Sequence, residues 1–331
     1  MKKIGIAGAT GLVGETLIRA IESSPHKIDE LRLFASSRSA GKKINFRGNL
    51  LEIRELDPKE FTGLDLAFFC LEPELAKRFV PEAARFCPVI DKSSYFRLKK
   101  NIPLIVPEVN PEALKGHKHI IANPNCTTIP FVVAIAPLHR KFVLDAVWVA
   151  TYQSVSGAGR DALEQFQYET EFLAMGQKPD IKASPFGHQV VDNLIPQIGP
   201  FDSDGNSAEE LKLVHESKKI LNLPELKLNV TCVRVPVTIG HSLAVACRFK
   251  KPVKPKQAEE LLKKAKGVHL TKGDSFITPA QCRNNKAVFV SRIRQGAAPD
   301  ELLLWIVTDN LYKGAAFNAL QIAEIISKEE K

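Results

Sequence analysis

The 331-residue chain has no long apolar run, no C-x-x-C pair and no dense cysteine spacing. No apolar stretch approaches the ~20 residues of a membrane-spanning helix, so we expect no transmembrane segment. The cysteine spacing argues against a zinc site and a disulfide framework, and therefore favours a reducing, cytoplasmic compartment and no metal. The six cysteines are Cys70, Cys87, Cys126, Cys232, Cys247 and Cys282.

The chain also lacks a convincing secretory signal. Lys2 and Lys3 precede a mildly apolar stretch, but three glycines and Thr10 interrupt it. The stretch continues into an amphipathic pattern instead of a cleavage site. Its start therefore predicts a folded element.

A net charge of +9 is compatible with nucleic acid, an anionic membrane or small anionic substrates. The densest basic stretch, Arg248 to Lys272, has almost no aromatic residues between its lysines. This pattern is typical of a solvated helix face and its flanks. We therefore expect a small-molecule substrate, and neither nucleic acid nor a membrane as partner.

The N-terminal part has the pattern of a parallel sheet. "KKIGIAG" predicts a short strand, and Val13, Leu17, Ile18 and Ile21 then fall on one helical face. Further continuous apolar runs, separated by helical or loop segments, are typical of strands covered on both faces. These runs are "ELRLFAS", "LDLAFFC", "CPVIDKS" and "KHIIAN".

After residue 141 the runs become longer and alternate in polarity, which predicts a second, α+β domain with a mostly antiparallel sheet. Helices are predicted at about 159–175, 207–221 and 255–266. The closing segment "KGAAFNALQIAEIISKEE" has an apolar helical face that could pack on the first domain. We expect an α/β chain with a Rossmann-type domain over about 1–123, joined by helix 313–331, and a catalytic and dimerisation domain over about 124–312.

"GIAGATGLVG" places Gly8, Gly11 and Gly14 between the first strand and the first helix. Such a turn lets backbone N–H groups and the positive helix end approach a pyrophosphate, so it favours dinucleotide binding over a purely structural turn. The second strand ends in "ASSRSAG" and lacks the acidic residue of NAD-binding proteins. Ser36, Ser37, Arg38 and Ser39 there predict a 2′-phosphate contact and hence NADP, the alternative being a polar loop with an incidental arginine.

Cys126 stands in "ANPNCTT", after a predicted strand and before the predicted helix "TTIPFVVAIAPLHRKF". A thiol at a helix start feels the positive end of the helix dipole, which raises its thiolate fraction. The alternative is a buried packing residue, the commoner fate of a lone cysteine.

Other polar residues suit a substrate site, although each alone has an ordinary structural explanation. Their joint presence favours an enzyme. They are Gln153 in "TYQSVSGAGR", Arg234 and His241 in "VRVPVTIGHS", Glu209 and Lys212 in "AEELK", and Arg97 in "DKSSYFR".

Together these motifs resemble the aspartate-β-semialdehyde dehydrogenase family over nearly the whole chain, most specifically in "NPNCTT", "YQSVSGAG", "IPQI", "VRVPVTIGHS" and "DNLYKGAA". The resemblance implies NADPH-dependent reduction of L-β-aspartyl phosphate to aspartate semialdehyde and phosphate by a homodimer, in lysine, threonine and methionine biosynthesis. It makes Cys126 the nucleophile, His241 the general acid/base and Gln153 the residue that orients the acyl intermediate. It assigns Arg234 to the substrate carboxylate, Glu209 to its ammonium, and Arg97 with Lys212 to phosphate. The expected cofactor contacts are Gly8, Thr10, Gly11, Val13, Ser36, Ser37, Arg38, Ser39, Gly157 and Asn310.

Departures from the family pattern are small: Thr127 replaces a common serine, and Tyr312 and Phe317 vary the C-terminal motif. Three alternatives remain. N-acetyl-glutamyl-phosphate reductase shares the thioester chemistry but resembles "NPGCY" at its cysteine, where this chain has Asn125. A catalytically silent NADP-binding protein and a nucleic-acid-binding protein are the others.

Overall fold

The computed structural model describes residues 2–271 and 273–329. Met1 of the expected first domain, Lys272 of the basic stretch, and Glu330 and Lys331 of the closing helix lie outside the described residues. The chain forms two compact units, Met1–Asn125 with Ala315–Lys331, and Cys126–Gly314. Its helices are α1 (Leu12–Glu22), α2 (Pro73–Ala83), α3 (Thr128–Phe142), α4 (Arg160–Ala174), α5 (Ala208–Leu221), α6 (Pro255–Leu262) and α7 (Phe317–Glu329).

The first unit contains a seven-stranded sheet in the order β3-β4-β2-β1-β5-β6-β7. All neighbouring strands are parallel except β3 and β4, which pair antiparallel at one edge. The predicted Rossmann-type parallel sheet is confirmed. The strands are β1 (Lys3–Ala7), β2 (Glu30–Ala35), β3 (Lys43–Phe46), β4 (Asn49–Glu55), β5 (Leu66–Phe69), β6 (Val89–Asp91) and β7 (Ile120–Ala122).

The strand order reverses at β1, which has β2 on one side and β5 on the other. Ligands of open α/β sheets bind beyond the carboxyl ends of the strands at such a switch point. The turn from Gly8 to Gly11 follows β1 directly and leads into α1. The fold thus places the glycine turn where a nucleotide site is expected.

The closing helix belongs to the first unit. α7 packs against α1 and β6, and the Asn318 side chain donates to the backbone oxygen of Ile105 (3.1 Å) and to Oδ1 of Asn123 (2.8 Å). Its predicted apolar face is buried, at Ala316, Leu320, Ile322, Ala323 and Ile326. The helix begins later than the sequence suggested, because Tyr312–Ala316 forms a π-helical turn first.

The second unit contains a six-stranded sheet in the order β11-β12-β13-β10-β8-β9. Pairs β12–β13, β13–β10 and β10–β8 are antiparallel, whereas β8–β9 and β11–β12 are parallel. The mostly antiparallel sheet is therefore confirmed. The strands are β8 (Leu144–Gln153), β9 (Lys227–Arg234), β10 (His241–Phe249), β11 (Val268–Leu270), β12 (Val288–Gln295) and β13 (Glu301–Thr308).

One face of this sheet packs on helices, including α3, which is apolar almost all round and buries eleven of its fifteen residues. A helix that is hydrophobic on every side is typical of a core element. By contrast, α6 buries only Ala258 and Leu262 and leaves its lysine exposed, as the solvated-face interpretation predicted. No helix within the described residues combines the length and apolarity that crossing a membrane requires.

Candidate active site

The second sheet brings three of the predicted site residues to one edge. Parallel strands β8 and β9 end level with each other, with Gln153 paired to Arg234. Antiparallel β10 starts at this same edge with His241. Because all three side chains are buried on the helix-covered side, the strand ends form a polar cluster at the rim of the core.

Cys126 lies beside His241. Its Sγ is 3.2 Å from Nε2 of His241, and it precedes α3 by two residues. The first-turn amides of a helix lack intrahelical acceptors, and they favour a negative charge. The structure therefore brings together a partly exposed cysteine, an imidazole and a helix N-terminus, which is the environment of a reactive thiolate.

The other five cysteines lie in environments that suppress their reactivity. Desolvation by burial raises the pKa of the Cys70 thiol to about 11 and that of Cys87 and Cys282 to about 12. Burial also raises the pKa of Cys232 and Cys247. A thiol with a raised pKa carries little thiolate at neutral pH, so Cys126 is the cysteine placed for nucleophilic chemistry.

His241 is fully buried. Desolvation by burial, and next the positive charge of Arg234, lower the pKa of its imidazole to about 3. Its Nδ1 accepts a hydrogen bond from the backbone N–H of Ser154 at 3.0 Å. Burial, the guanidinium and this accepted hydrogen bond all disfavour the charged form of the ring.

A carboxylate at the start of α5 connects two predicted substrate contacts. Oε1 of Glu209 accepts from Nε2 of Gln153 at 3.1 Å, and its Oε2 accepts from Nζ of Lys212 at 3.0 Å. Glu209 is buried while the side chain of Lys212 is about one third exposed. Oε1 of Gln153 also accepts from the hydroxyl of Thr151. The carboxamide is thus held from both ends.

Arg234 is buried, and its guanidinium is only partly hydrogen-bonded. Nη1 donates to the backbone oxygen of Ser154 at 2.6 Å, and the guanidinium lies 5.7 Å from the ring centre of Phe186. Its Nε has no hydrogen-bond partner among residues 2–271 and 273–329. A buried guanidinium with a donor still to satisfy suits a carboxylate ligand.

Two glycines border this cluster. A Cβ on Gly157 would lie 3.1 Å from Nη1 of Arg234 and 3.3 Å from Nε2 of His241. A Cβ on Gly314 would lie 3.2 Å from the backbone oxygen of Cys126. Gly157 was expected to contact cofactor; here it leaves room beside the imidazole and guanidinium. Gly314, which stands in the motif "DNLYKGAA", is a close approach to Cys126 for which the sequence gives no signal.

Asn310 is buried and contacts Gly240, the residue before His241. Its Oδ1 accepts from the backbone N–H of Gly240 (2.8 Å) and from the hydroxyl of Ser154 (3.1 Å), and its Nδ2 donates to Ser156 (3.0 Å). The sequence indicated a nicotinamide contact at Asn310 and gave no signal for Ser154. The structure connects both to the imidazole.

In the first unit, the glycine turn has the shape of a phosphate cradle. Gly8 has φ +81°, and a Cβ there would lie 2.4 Å from the backbone oxygen of Cys70. A Cβ on Gly14 would lie 2.1 Å from the oxygen of Gly8, so these positions require glycine. Gly11 is exposed, and its backbone N–H donates to the oxygen of Gly8 at 3.1 Å. Thr10 and Val13, beside it, are partly exposed. The turn fits a dinucleotide pyrophosphate.

The loop after β2 is open to a ligand. Ser36, Ser37 and Arg38 are exposed and Ser39 is partly so. The backbone N–H of Ser39 donates to the oxygen of Ser36, which closes a turn.

Arg97, also in the first unit, is buried, and its Nη2 donates to the backbone oxygen of Lys92 at 2.6 Å. Arg97 and its expected partner Lys212 thus belong to different units.

The fold and these sites define a class: a two-unit oxidoreductase with a Rossmann-type nucleotide-binding sheet and a cysteine–histidine pair. Residues 3–117 match the semialdehyde dehydrogenase NAD-binding domain, and residues 135–313 match the semialdehyde dehydrogenase dimerisation domain. The chain is 40% identical over 335 residues to aspartate-semialdehyde dehydrogenase of Aquifex aeolicus, covering 99% of this chain and 98% of that one. The chain belongs to the aspartate-semialdehyde dehydrogenase family and is an enzyme.

Two solved structures are similar to this chain over its full length. Aspartate semialdehyde dehydrogenase II of Vibrio cholerae, in a complex with ASA, has a TM-score of 0.97 at 37% identity, covering 100% of this chain and 99% of that one. The Candida albicans enzyme with NADP has a TM-score of 0.76 at 26% identity, covering 100% and 99%. The similarity therefore extends over both units.

Proposed function

We propose that this enzyme reduces L-β-aspartyl phosphate with NADPH to L-aspartate-β-semialdehyde and phosphate through a thioester on Cys126. The observation that supports this most is the 3.2 Å approach of Sγ of Cys126 to Nε2 of His241, with Gln153, Glu209 and Arg234 joined to the same cluster. In a cell the reaction would serve lysine, including its diaminopimelate route, threonine and methionine biosynthesis. A cytoplasmic location is part of the proposal, supported by six free cysteines, which persist in a reducing compartment.

The chain's own groups account for the covalent step. The thiolate of Cys126 attacks the acyl carbon, the bond from that carbon to the phosphate oxygen breaks, and phosphate leaves with the electron pair. The resulting thioester accepts a hydride more readily than a carboxylate does. A nicotinamide cofactor held at the glycine turn from Gly8 to Gly11 would supply that hydride. Gln153, held by Thr151 and Glu209, is placed to orient the acyl group.

The substrate contacts are proposed from the charges of the site residues. Glu209 would bind the α-ammonium, since its carboxylate already holds one ammonium, that of Lys212, at 3.0 Å. Arg234 would bind the α-carboxylate with the part of its fork that protein groups leave unpaired. Arg97 and Lys212 are the proposed phosphate contacts. The net charge of +9 accords with two anionic ligands.

The direct test of this function is a comparison of two aldehydes in the oxidative direction. Aspartate semialdehyde and N-acetyl-glutamate semialdehyde are assayed with NADP⁺ under equal phosphate. An aspartyl substrate has a free ammonium for Glu209, whereas the acetylated compound has none. We expect phosphate-dependent NADPH formation with aspartate semialdehyde. Preference for the acetylated aldehyde would move the protein to the sister reductase, and turnover of neither would refute both.

The proposed preference for NADPH rests on the loop after β2. Arg38 is exposed and makes no side-chain hydrogen bond or ion pair within the described residues, so its guanidinium is available to a 2′-phosphate. The Candida albicans relative with NADP supports this choice.

We expect Arg38→Ala to raise KM for NADPH by about tenfold and to leave KM for NADH within about twofold, because a charge-assisted contact contributes about 1.5 kcal/mol. Steady-state kinetics with both cofactors measure this. Arg54→Ala is the matched control, since Arg54 is exposed in the same unit but pairs with Glu60. Unchanged constants in Arg38→Ala would make the loop structural.

We also propose a homodimer formed through the open face of the second sheet. The side chains of Trp148, Ala150, Ala246, Leu303 and Trp305 alternate outward there, and none is fully buried. Trp148 is 43% exposed. The occupant is a second copy of this chain, because residues 135–313 match a dimerisation domain and a contiguous exposed apolar patch is typical of a protein interface.

Ala246→Arg is expected to convert the dimer into a monomer, since it puts a charge between Trp148 and Leu303 on the neighbouring strands without entering the core. Sedimentation velocity measures the mass. Leu50→Arg is the control, because Leu50 is 69% exposed in the first unit. A dimer that persists in Ala246→Arg would place the interface elsewhere.

A further inference from the structure

A long segment between α4 and α5 reaches Arg234. Residues 175–207, all within the described part of the chain, contain isolated bridges but neither a helix nor a strand. A connection of this length inside a compact unit is usually a functional loop. Most of the segment is exposed or partly exposed, but Val190 and Ile195 are buried. Its middle therefore packs into the second unit.

This segment holds Arg234 in two places. The backbone N–H of Ile195 donates to the oxygen of Arg234 at 3.0 Å, and the N–H of Arg234 donates to the oxygen of Ile195 at 2.8 Å. These bonds use the outer side of β9, which is an edge strand of the sheet. The ring of Phe186 lies 5.7 Å from the guanidinium carbon, within the range of a cation–π contact. The segment thus contacts both the backbone and the charged end of Arg234.

Glu169, on α4, anchors the middle of the segment. Its side chain is fully buried, and Oε2 accepts from the backbone N–H groups of Val190 at 2.7 Å and Val191 at 3.0 Å. Oε1 accepts from Nε2 of Gln165 at 3.0 Å. Glu169 makes no ion pair within the described residues, so hydrogen bonds alone compensate the burial of its carboxylate.

The anchored turn is folded by its own side chains. Nε2 of Gln189 donates to the oxygen of Val191 at 2.8 Å, and Nδ2 of Asn193 donates to the oxygen of Gln189 at 2.8 Å. Asp192 has φ +56°, in the left-handed region that few residues other than glycine adopt. Because the turn is compact, holding two of its amides also limits the movement of the residues on either side.

An apolar cluster connects the anchor to both contacts with Arg234. Val190 and Ile195 are buried together with Val155, and Phe186 packs against this cluster. Closely packed side chains transmit the displacement of one member to the others. Release of Val190 from the carboxylate would therefore shift the backbone bridge and the ring that hold Arg234.

We propose that Glu169 is a positioning residue, which sets the guanidinium of Arg234 for the α-carboxylate of the substrate. It acts through residues 186–195 and touches neither the substrate nor the reacting sulfur. This role rests on the proposed function, in which Arg234 binds that carboxylate. The required feature of Glu169 is its acceptor oxygen, since its partners are backbone amides.

Two variants of Glu169 test this requirement. Glu169→Met keeps the length of the side chain but has no acceptor oxygen, so it leaves the amides of Val190 and Val191 unpaired. Glu169→Gln keeps an oxygen for both amides, and the carboxamide of Gln165 can rotate to accept from its NH₂ group. We expect Glu169→Met to raise KM for aspartate semialdehyde about tenfold, with kcat and KM for NADP⁺ within about twofold. Glu169→Gln should stay within about threefold of the native KM. Equal losses in both variants, or a fall in kcat at unchanged KM, would contradict the role.

Glu171→Met is the matched control. Glu171 lies on the same helix and also accepts from a glutamine four residues earlier, since Nε2 of Gln167 donates to its Oε1 at 2.9 Å, but it is exposed. Its KM for aspartate semialdehyde should stay within about twofold of the native value. A rise equal to that of Glu169→Met would assign the effect to α4 in general and overturn the proposal.

A truncated aldehyde separates positioning from a general structural defect. 3-Aminopropanal keeps the aldehyde and the ammonium of aspartate semialdehyde but lacks the α-carboxylate. Both Glu169→Met and Arg234→Lys should lower kcat/KM for aspartate semialdehyde at least about fivefold more than for 3-aminopropanal. If Arg234→Lys separates the two aldehydes and Glu169→Met does not, only the role of Glu169 is refuted. If Arg234→Lys does not separate them, the carboxylate contact in the proposed function is wrong.

Phe186→Leu tests the other end of the same path. It removes the ring beside the guanidinium and keeps the carboxylate anchor, so it should show the same selective loss with aspartate semialdehyde. Equal losses with both aldehydes would refute transmission through the segment.

Hydrogen exchange followed by mass spectrometry measures the anchor without turnover. In Glu169→Met, peptides that cover residues 186–195 should exchange at least about tenfold faster than in the native enzyme, because the amides of Val190 and Val191 lose their acceptor. Glu169→Gln and Glu171→Met should keep near-native protection. Unchanged exchange in Glu169→Met would overturn the proposal, whatever the kinetics show.

Discussion

Replacing Cys126 by alanine is expected to lower kcat by at least about 10⁴-fold, because a methyl group cannot form the thioester and nothing else in the site replaces the nucleophile. The glycine turn and the loop after β2 lie in the other unit, so NADPH binding should stay within about twofold of the native value. Steady-state kinetics and calorimetric titration with NADPH measure the two quantities.

Cys87→Ala is the control for removing a thiol. Cys87 is buried in the first unit, and burial raises its pKa to about 12, so its loss should affect stability and leave kcat unchanged. Near-native turnover in Cys126→Ala would end the proposed mechanism. Loss of cofactor binding in that variant would indicate a structural defect instead.

Arg234→Lys is the second large expected effect. Lysine keeps the charge but lacks the planar fork, so it cannot hold the Ser154 backbone oxygen and a substrate carboxylate together as the guanidinium can. We expect kcat/KM for aspartate semialdehyde to fall about 10²-fold, equivalent to about 2.7 kcal/mol, with KM for NADP⁺ little changed.

Arg32→Lys serves as the control, because Arg32 is also held by several acceptors, Glu30 and the backbone of Glu60 and Thr62, but lies in the first unit. It should lower the melting temperature and leave kcat/KM near the native value. If Arg234→Lys behaves like Arg32→Lys, then Arg234 is a structural residue and the substrate carboxylate binds elsewhere.

Much of the fold was predictable from sequence because its strands are buried and periodic. The continuous apolar runs predicted β1, β2, β5, β6 and β7. The hairpin β3–β4 was missed, since "KINF" and "NLLEIRE" carry charges and leave most of their residues exposed or partly exposed. The strand β11, "VHL", was also missed, because its polar His269 leaves no continuous apolar run.

The candidate site was predictable in its residue types but not in its connections. The sequence predicts Gln153, Arg234 and His241 as site residues, and the register of β8, β9 and β10 explains why the strand ends that carry them meet. The contact between Ser154 and His241 could not be predicted, because it is made in part by a backbone amide, which every residue other than proline carries. The enclosure of Asn310 likewise depends on side chains distant in sequence.

The central claim is a thioester on Cys126, and the most direct measurement is mass spectrometry of the enzyme mixed with aspartate semialdehyde and NADP⁺ in the absence of phosphate. Without phosphate to release it, the acyl group should accumulate. We predict a burst of NADPH equal to the number of active sites and an aspartyl adduct on the peptide that contains Cys126. No burst, or an adduct on another of the six cysteines, would contradict the account.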